Sequence, residues 1–590
     1  MTQAQLFLLR GAFVVAILLS GLNCRPTSVV DGRNESRPVP EAMPAAPAWL
    51  IDVAAKGNVD FAYRNGEEAD RYTILESLGG GVCLLDYDQD GRIDIFITGG
   101  GSLPSEGPAM PAGRAGKLYR NRGDWSFEDV TRLLGLEQAP FYSHGCLTED
   151  LDRDGWPDLI VTGYGGVRIY LNQLSDGDRR TFVDATRQWG VPETTWATSA
   201  ACGDLFGEGR ADLYVCQYLD WTPERDPPCP RRDDPSGRDV CPPQRFQPLP
   251  HRLFRNTGER FAEVSDQVGI LPGKGLGVVI ADLNADRRPD VYVANDDGEN
   301  RLYLNQGAGR LLENAQAAGV AVDESGRYNG SMGVDAGDFD GSGRPSLLAT
   351  NYQGELPALY ANLGDGLFLY QSQSAGLNAP GLEFVGFGTS FVDLDNDSWL
   401  DLVAVNGHVL RHPVGASFRQ RGLLFHNQSR GTRRVFQEMT LAPDSPLASP
   451  ALGRGLAVGD LDNDGWPDLV LSPSNQPVAV LRNTAPRGND RRWLGLQLTG
   501  RANRPIAGAC VVVQFEDRQI TRFAKSGGSY LSSSDPRLLF GLPGATKIQQ
   551  VQVHWPWGDV QTWDGALFSL DQYWRLDEQQ PAPTRAVAPR

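Results

Sequence analysis

The pattern Asp-x-Asp-x-Asp-Gly-x-x-Asp returns seven times along the chain, intact or degraded, and no other feature constrains the fold so tightly. Two copies are complete at the start: Asp86, Asp88, Asp90, Gly91 and Asp94, then Asp150, Asp152, Asp154, Gly155 and Asp158. The third is degraded to Asp204, Phe206, Glu208, Gly209 and Asp212. The fourth reads Asp282, Asn284, Asp286, Arg287 and Asp290, and the fifth Asp338, Asp340, Ser342, Gly343 and Ser346. The sixth is Asp393, Asp395, Asp397, Ser398 and Asp401; the seventh is Asp460, Asp462, Asp464, Gly465 and Asp468. Successive starts lie 64, 54, 78, 56, 55 and 67 residues apart, which marks a repeat array.

Other features keep step. Glycines precede each copy, as in "GGGVCLLD" and "GRGLAVGD", and an apolar run such as "PDLIVTG" follows. Then comes a segment ending in Asn, for example "LYRN" (118–121), "LYLN" (302–305) and "VLRN" (480–483), and an aromatic-acidic segment such as "FEDV" at 127. Each unit therefore reads as about four short strands separated by turns. The expected fold is all-β: a seven-bladed β-propeller over 49–485. The seventh unit lacks the aromatic-acidic segment, whereas an isolated one, "LIDVAAKG" (50–57), precedes the first unit. Closure by this N-terminal strand supplies the missing piece and removes an exposed sheet edge.

A chain of 590 residues is too long for one ordinary core, but not for an array; Gly 68 and Pro 40 favour turns over long helices. The net charge of −18 makes nucleic acid and anionic membrane surfaces poor partners and suits divalent cations. Eight cysteines without a CxxC pair argue against zinc. At the N-terminus, Arg10 precedes "GAFVVAILLSGL" (11–22), the length of a signal peptide core and too short for a membrane span. Cys24 follows, in an arrangement that resembles a bacterial lipoprotein signal and makes it a candidate lipid anchor. Residues 1–24 are thus expected to direct export, to the periplasm, an outer-membrane anchor or the cell surface and medium. Residues 25–48 are expected to form a Pro-rich linker.

Carboxylates at positions 1, 3, 5 and 9 of a loop can converge on one cation. Position 6 is glycine where the chain turns sharply with φ > 0, and the carbonyl at position 7 can add a ligand. Hard oxygen ligands in this number suit Ca²⁺. An EF-hand would need a bidentate Glu at position 12, where the seventh loop has Leu471. The expected calcium ligands are Asp86, Asp88, Asp90 and Asp94; Asp150, Asp152, Asp154 and Asp158; Asp282, Asn284, Asp286 and Asp290; Asp393, Asp395, Asp397 and Asp401; and Asp460, Asp462, Asp464 and Asp468. The third and fifth loops lack ligands. The plainer alternative is a set of solvated turns without metal.

These repeats resemble the FG-GAP (VCBS-type) repeats of integrin α-chains and of many bacterial exported proteins. Further on, "RWLGLQLTGRANRPIAGACVVVQ", "KSGGSYLSSSDPRLLFGL" and "VQVHWPWGDVQ" resemble the ASPIC/UnbV domain found after FG-GAP repeats in relatives of cartilage acidic protein. The resemblance implies export, calcium-binding repeats and an interaction role. Residues 490–578 alternate apolar and polar and read as a small β-sandwich, followed by a disordered tail over 579–590. "SGGSYLSSSDPR" reads as a tight turn carrying a core tyrosine, or as a ligand loop.

Six histidines are scattered, with no HExxH or G-x-S-x-G motif. His144 reads as a strand residue; His408 and His412, four apart, are candidates for a metal pair. Two functions stay open. One is an exported, calcium-stabilised binding protein whose ligand is a protein or glycan. The other is an extracellular hydrolase or lyase acting on polymers at the propeller channel, which a convergent His/Tyr/Arg group or carboxylate pair at one propeller mouth would favour. The insertion 219–251 holds Cys229 and Cys241, expected as a disulfide and as a partner-contact surface. Cys202 and Cys216 flank the third loop and could pair across its hairpin, while Cys83, Cys146 and Cys510 read as buried thiols.

Overall fold

The computed structural model describes residues 49–586 apart from 108, 176–178, 193–195 and 489. The expected signal segment, Cys24 and the linker lie outside the described residues. Among the described residues the fold is all-β, with helices no longer than single turns such as Ser265–Val268 and Ala315–Ala318.

Each acidic repeat joins the first two strands of its own antiparallel sheet. The first strands are Val82–Leu85, Tyr142–Glu149, Ala197–Gly203, Gly275–Ala281, Val334–Gly337, Gly386–Val392 and Gly455–Gly459. Second strands begin at the position-9 residue of the repeat, as in Asp94–Ile97 and Asp158–Tyr164. Third strands carry the "LYxN" segments, as in Lys117–Asn121. Each first strand lies against the first strand of the next sheet, and Gly455–Gly459 lies back against Val82–Leu85, so the succession returns to its start.

Packing explains the long apolar runs. A separate apolar cluster fills the space between each sheet and the next, including one of Val82, Leu84 and Ile95 against Ala457, Val470 and Val480. Strands such as Asp158–Tyr164 are covered on both faces and are buried at every position, so they read as continuous rather than alternating. Each buried Val, Leu or Ile contributes about 1.5–3 kcal/mol. The seventh sheet is completed from the other end of the chain. Leu50–Asp52 pairs antiparallel with Ala479–Asn483, Leu50 opposite Asn483, as the isolated "LIDV" segment predicts.

Beyond residue 490 two four-stranded sheets share one apolar core that includes Leu494, Leu496, Val511, Val513, Phe540 and Val551. Arg491–Thr499 runs parallel to Tyr573–Asp577 and antiparallel to Leu538–Pro543. In the stretch expected as a disordered tail, Thr584–Arg585 pairs with Trp574 and Arg575.

The segment "KSGGSYLSSSDPR" leaves this core and enters the middle of the seven sheets. Strand Ser526–Gly527 adds to the fourth sheet beside Val279 and Ile280. The Ser532 hydroxyl accepts from Val82 N, Leu531 O from Cys146 N, and Ser529 O from Val334 N. Leu531 N donates to Ser199 Oγ, and Asp535 N to Val458 O. Tyr530 is fully buried and packs edge-on against Phe387 of the sixth sheet, at 4.9 Å between ring centroids. The segment thus touches all seven first strands. It is not a tight turn, although its tyrosine is a core residue. A glycine is required where it passes Gly81, since a Cβ there would sit 1.6 Å from Leu531 O.

The cysteines divide. Cys229 and Cys241 form the expected disulfide. Cys202 and Cys216 do not pair: Cys202 faces the cluster between the second and third sheets, and Cys216 the cluster between the third and fourth. They point to opposite faces of one sheet, which no disulfide can span.

Candidate metal centres

The seven acidic loops share one backbone shape. Position 6 is left-handed in every loop, from Arg287 at φ 66° to Gly155 at φ 89°. Position 4 is left-handed too, including Gln89, Arg153, Ala285 and Asn463. The position-1 carboxylate clamps this turn by accepting from backbone N–H groups across the loop. Asp86 takes Asp90 N at 3.0 Å and Gly91 N at 2.9 Å; Asp460 takes Asp464 N and Gly465 N at 3.1 and 2.7 Å. The degraded third loop keeps the clamp, with Asp204 accepting from Glu208 N and Gly209 N, both at 2.8 Å.

Position 9 has a different task. Asp94 accepts from Tyr87 N and from Asn121 N, the Asn of "LYRN". Asp158 with Asn172, Asp212 with Asn256, Asp290 with Asn305, Asp401 with Asn427 and Asp468 with Asn483 repeat the bond. In the fifth loop the Ser346 hydroxyl accepts from Asn362 N instead. The amide of each Asn then reaches the loop of the preceding sheet. Asn172 donates to Tyr87 O, Asn256 to Leu151 O, Asn305 to Leu205 O, Asn362 to Leu283 O, Asn427 to Phe339 O and Asn483 to Leu394 O. Asn121 donates to Leu461 O and so joins the first sheet to the seventh. The sequence shows these asparagines in phase but not their partners, which lie 79 to 340 residues away.

Position 5 adds to this scaffold by accepting from the backbone N–H at position 7, as Asp90 does from Arg92 N and Asp464 from Trp466 N; position 3 contributes least to it. Carboxylate oxygens lie within 4.8 Å of one another in Asp86, Asp88 and Asp90; in Asp150, Asp152 and Asp158; and in Asp460, Asp462 and Asp464. In the sixth loop Asp395 and Asp397 converge with His426. The buried oxygens Asp88 Oδ1, Asp150 Oδ1 and Asp462 Oδ1 have no hydrogen-bond partner, nor has Asp338 Oδ1 of the fifth loop. A buried, unpaired carboxylate oxygen is costly, and a hard cation would satisfy it. The donor set therefore fits Ca²⁺ best in loops one, two and seven. Burial, with mutual repulsion, raises Asp86, Asp150 and Asp460 to about 7, and Arg537 offsets only part of the rise at Asp460 and Asp86.

Side chains from neighbouring strands offset part of that charge. Arg120 lies 2.5 Å from Asp88 and 3.2 Å from Asp90, Arg180 3.0 Å from Asp154, and Arg482 3.2 Å from Asp462. Arg487 pairs with Asp464. These contacts use Oδ2 and leave the orphan Oδ1 atoms of Asp88 and Asp462 free for an ion. Loop six differs. His426 Nδ1 is 3.0 Å from Asp401 Oδ1, and this hydrogen bond raises the imidazole to about 9. His426 was foreshadowed only by its place in "LFHN", where other repeats carry Arg120, Arg255 and Arg482. In loop four Asn284 turns its amide to Asp286, and Arg288 pairs with the same carboxylate, so three acids do not converge.

His144, His408 and His412 lie apart from the acidic loops. His144 is buried between Tyr63 and Trp196 and is lowered to about 3 by burial. His408 contacts Gln353, whereas His412 lies by Asp239; the two do not form a metal pair.

Five of the seven loops bond to the C-terminal region. Asn503 donates to Arg153 O, Trp557 to Asp204 O and Arg287 to Gly558 O. The Ser398 hydroxyl donates to Gly541 O, and Tyr573 to Asp460 Oδ2. Arg537 is buried and donates to Asp460 O while paired with Asp535.

Comparison with known proteins agrees with this organisation. A family model for FG-GAP-like repeats matches residues 150–215 and 282–349, and one for ASPIC and UnbV matches 499–583. The chain carries FG-GAP-like repeats and an ASPIC/UnbV domain. It is similar to cartilage acidic protein 1 of Mus musculus, 24% identical over 510 residues, covering 81% of this chain and 71% of that protein. Cartilage acidic protein 1 of Homo sapiens is likewise 24% identical, over 531 residues, covering 85% and 74%. Among solved structures, an Agrocybe aegerita lectin aligns with a TM-score of 0.37 at 15% identity, covering 61% of this chain and 80% of that one.

Proposed function

We propose that the chain is an exported, calcium-stabilised interaction protein: a seven-bladed β-propeller with a small C-terminal β-sandwich, whose ligand is a protein or glycan at the cell surface. The propeller reading is supported by the cycle of asparagine bonds, which passes through every sheet and back to the first. Calcium is supported by the orphan oxygens in loops one, two, five and seven. Export and a lipid anchor at Cys24 rest on the N-terminal sequence. Among the described residues, no helix is long and apolar enough to cross a membrane.

The observation that carries binding over catalysis is the filled axis. The serine-rich segment occupies the space between the first strands where a channel substrate would sit, with Tyr530 and Leu531 buried. A second reading, a hydrolase or lyase, draws on one arrangement only: the carboxylates of Asp296 and Glu355 at the end of the sheets away from the acidic loops. Glycan-array binding with parallel turnover assays on the same polymers separates the two. Saturable binding without turnover is the expected result; release of product in step with enzyme concentration would replace this reading by the second.

A further inference from the structure

The end of the sheets opposite the acidic loops holds a cavity of about 300 Å³. Leu276 and Phe387 come from the starts of first strands, and Tyr218, Asp296 and Glu355 from the turns that follow second strands. Two segments cover it. One is the short helical turn Ile74–Ser77 with Leu78. The other is the insertion, whose Cys229, Val240 and Cys241 are buried against the same apolar cluster. The insertion is fixed in place: Asp239 accepts from Arg411 N and His412 N at 2.9 and 3.0 Å, and Arg411 pairs with Glu76 of the other segment.

The cavity is two-sided in character. Leu78, Leu276, Met332 and Phe387 make an apolar wall. The opposite wall carries acids. Asp296 Oδ2 accepts from the Tyr218 hydroxyl at 2.5 Å, which leaves Oδ1 without a partner among the described residues. Glu355 Oε2 accepts from Gly330 N at 2.9 Å and Tyr352 N at 3.3 Å, which leaves Oε1 likewise. Gly330 separates the two acids, and a Cβ there would lie 3.1 Å from Asp296 Oδ1. Asp297 is already matched by Lys274 at 3.1 Å. The other cations of the lining, Arg232 and Arg245, are exposed residues of the covering insertion. Burial raises Asp296 to about 6 and Glu355 to about 7; Lys274 offsets part of the charge of Asp296, and among the described residues no cation offsets that of Glu355.

We propose that this cavity binds a small organic cation, a protonated amine on an apolar body, with the ammonium held between Asp296 and Glu355 and the body against Leu276, Met332 and Phe387. An ammonium supplies donors to the two open carboxylate oxygens, and the rings of Tyr218 and Tyr352 add favourable faces for a cation. A neutral ligand would leave the desolvated charges uncompensated. The size and the apolar lining with a few convergent polar groups suit a small-molecule site. The inference rests on neither the calcium loops nor a surface ligand.

Phenethylamine is the probe, and 2-phenylethanol its neutral counterpart of the same shape. Titration calorimetry and melting curves on the full-length protein should show saturable binding of the amine and at least roughly tenfold weaker binding of the alcohol. The paired substitutions Asp296→Asn and Glu355→Gln keep shape and remove charge, and should weaken the amine by a similar factor. If that variant does not fold, the amine–alcohol comparison on the wild-type protein still decides. Equal binding of amine and alcohol, no binding of phenethylamine, benzylamine or isoamylamine, or full amine affinity in a folded double variant would each overturn the proposal. So would an oligosaccharide that raises the melting temperature while the amines do not.

Discussion

Loops three and seven invite comparison because they share a shape and differ in charge. Asp204 and Asp212 hold the third loop by the same backbone bonds that Asp460 and Asp468 make in the seventh. At positions 3 and 5 the third loop has Phe206 and Glu208, where the seventh has Asp462 and Asp464. Phe206 packs towards an apolar cluster and lies under the Arg255 guanidinium, whereas Asp462 ends in an orphan buried oxygen. The difference separates two jobs that the repeat combines. Positions 1 and 9 build the loop and link neighbouring sheets. Position 3 gathers charge, which the loop does not need in order to fold.

The largest effect should follow from breaking what the two loops share. Asp212→Ala and Asp468→Ala each strip a buried backbone N–H pair of its acceptor and should each cost about 3 kcal/mol. Melting curves in chelator should show similar losses for both; a loss confined to Asp468→Ala would merge the two jobs. Calcium comes next. At a hundredfold excess over Kd each occupied site adds about 2.7 kcal/mol, so melting temperature should rise clearly between chelator and millimolar calcium. Asp462→Ala should remove one site's share of that rise and leave stability in chelator within about 1 kcal/mol of wild type, since it deletes repulsion along with the bond from Trp125. The smallest effect concerns backbone strain. Ala285 in the fourth loop sits at φ 63°, and Ala285→Gly should stabilise by roughly 0.5–1 kcal/mol in chelator and calcium alike.

How much of this was legible in the sequence follows the same division. The acidic copies, their spacing and the orphan "LIDV" segment announced the repeats and the pairing of Leu50–Asp52 with the last unit, because each is a local pattern at a regular interval. The partners of the asparagines were not legible, since every amide bonds into a different repeat. Nor was the segment 525–537 in its true place. Serine and glycine carry no hydrophobic period, and what fixes them is a row of backbone groups on strands hundreds of residues away, such as Val82 N and Cys146 N. The cysteines show the limit most simply: Cys229 and Cys241 close a loop within one insertion, but Cys202 and Cys216 depend on which face of a sheet each side chain takes.

The claim that the position-3 carboxylate serves calcium, while positions 1 and 9 also hold the fold, is tested most directly by counting ions. Elemental analysis after dialysis against buffered calcium should find roughly three ions per chain, one for each of loops one, two and seven. Asp462→Ala should retain one fewer, and Phe206→Ala in the third loop the same number as wild type. A chain that retains no calcium, or an Asp462→Ala variant with an unchanged count, would contradict the account.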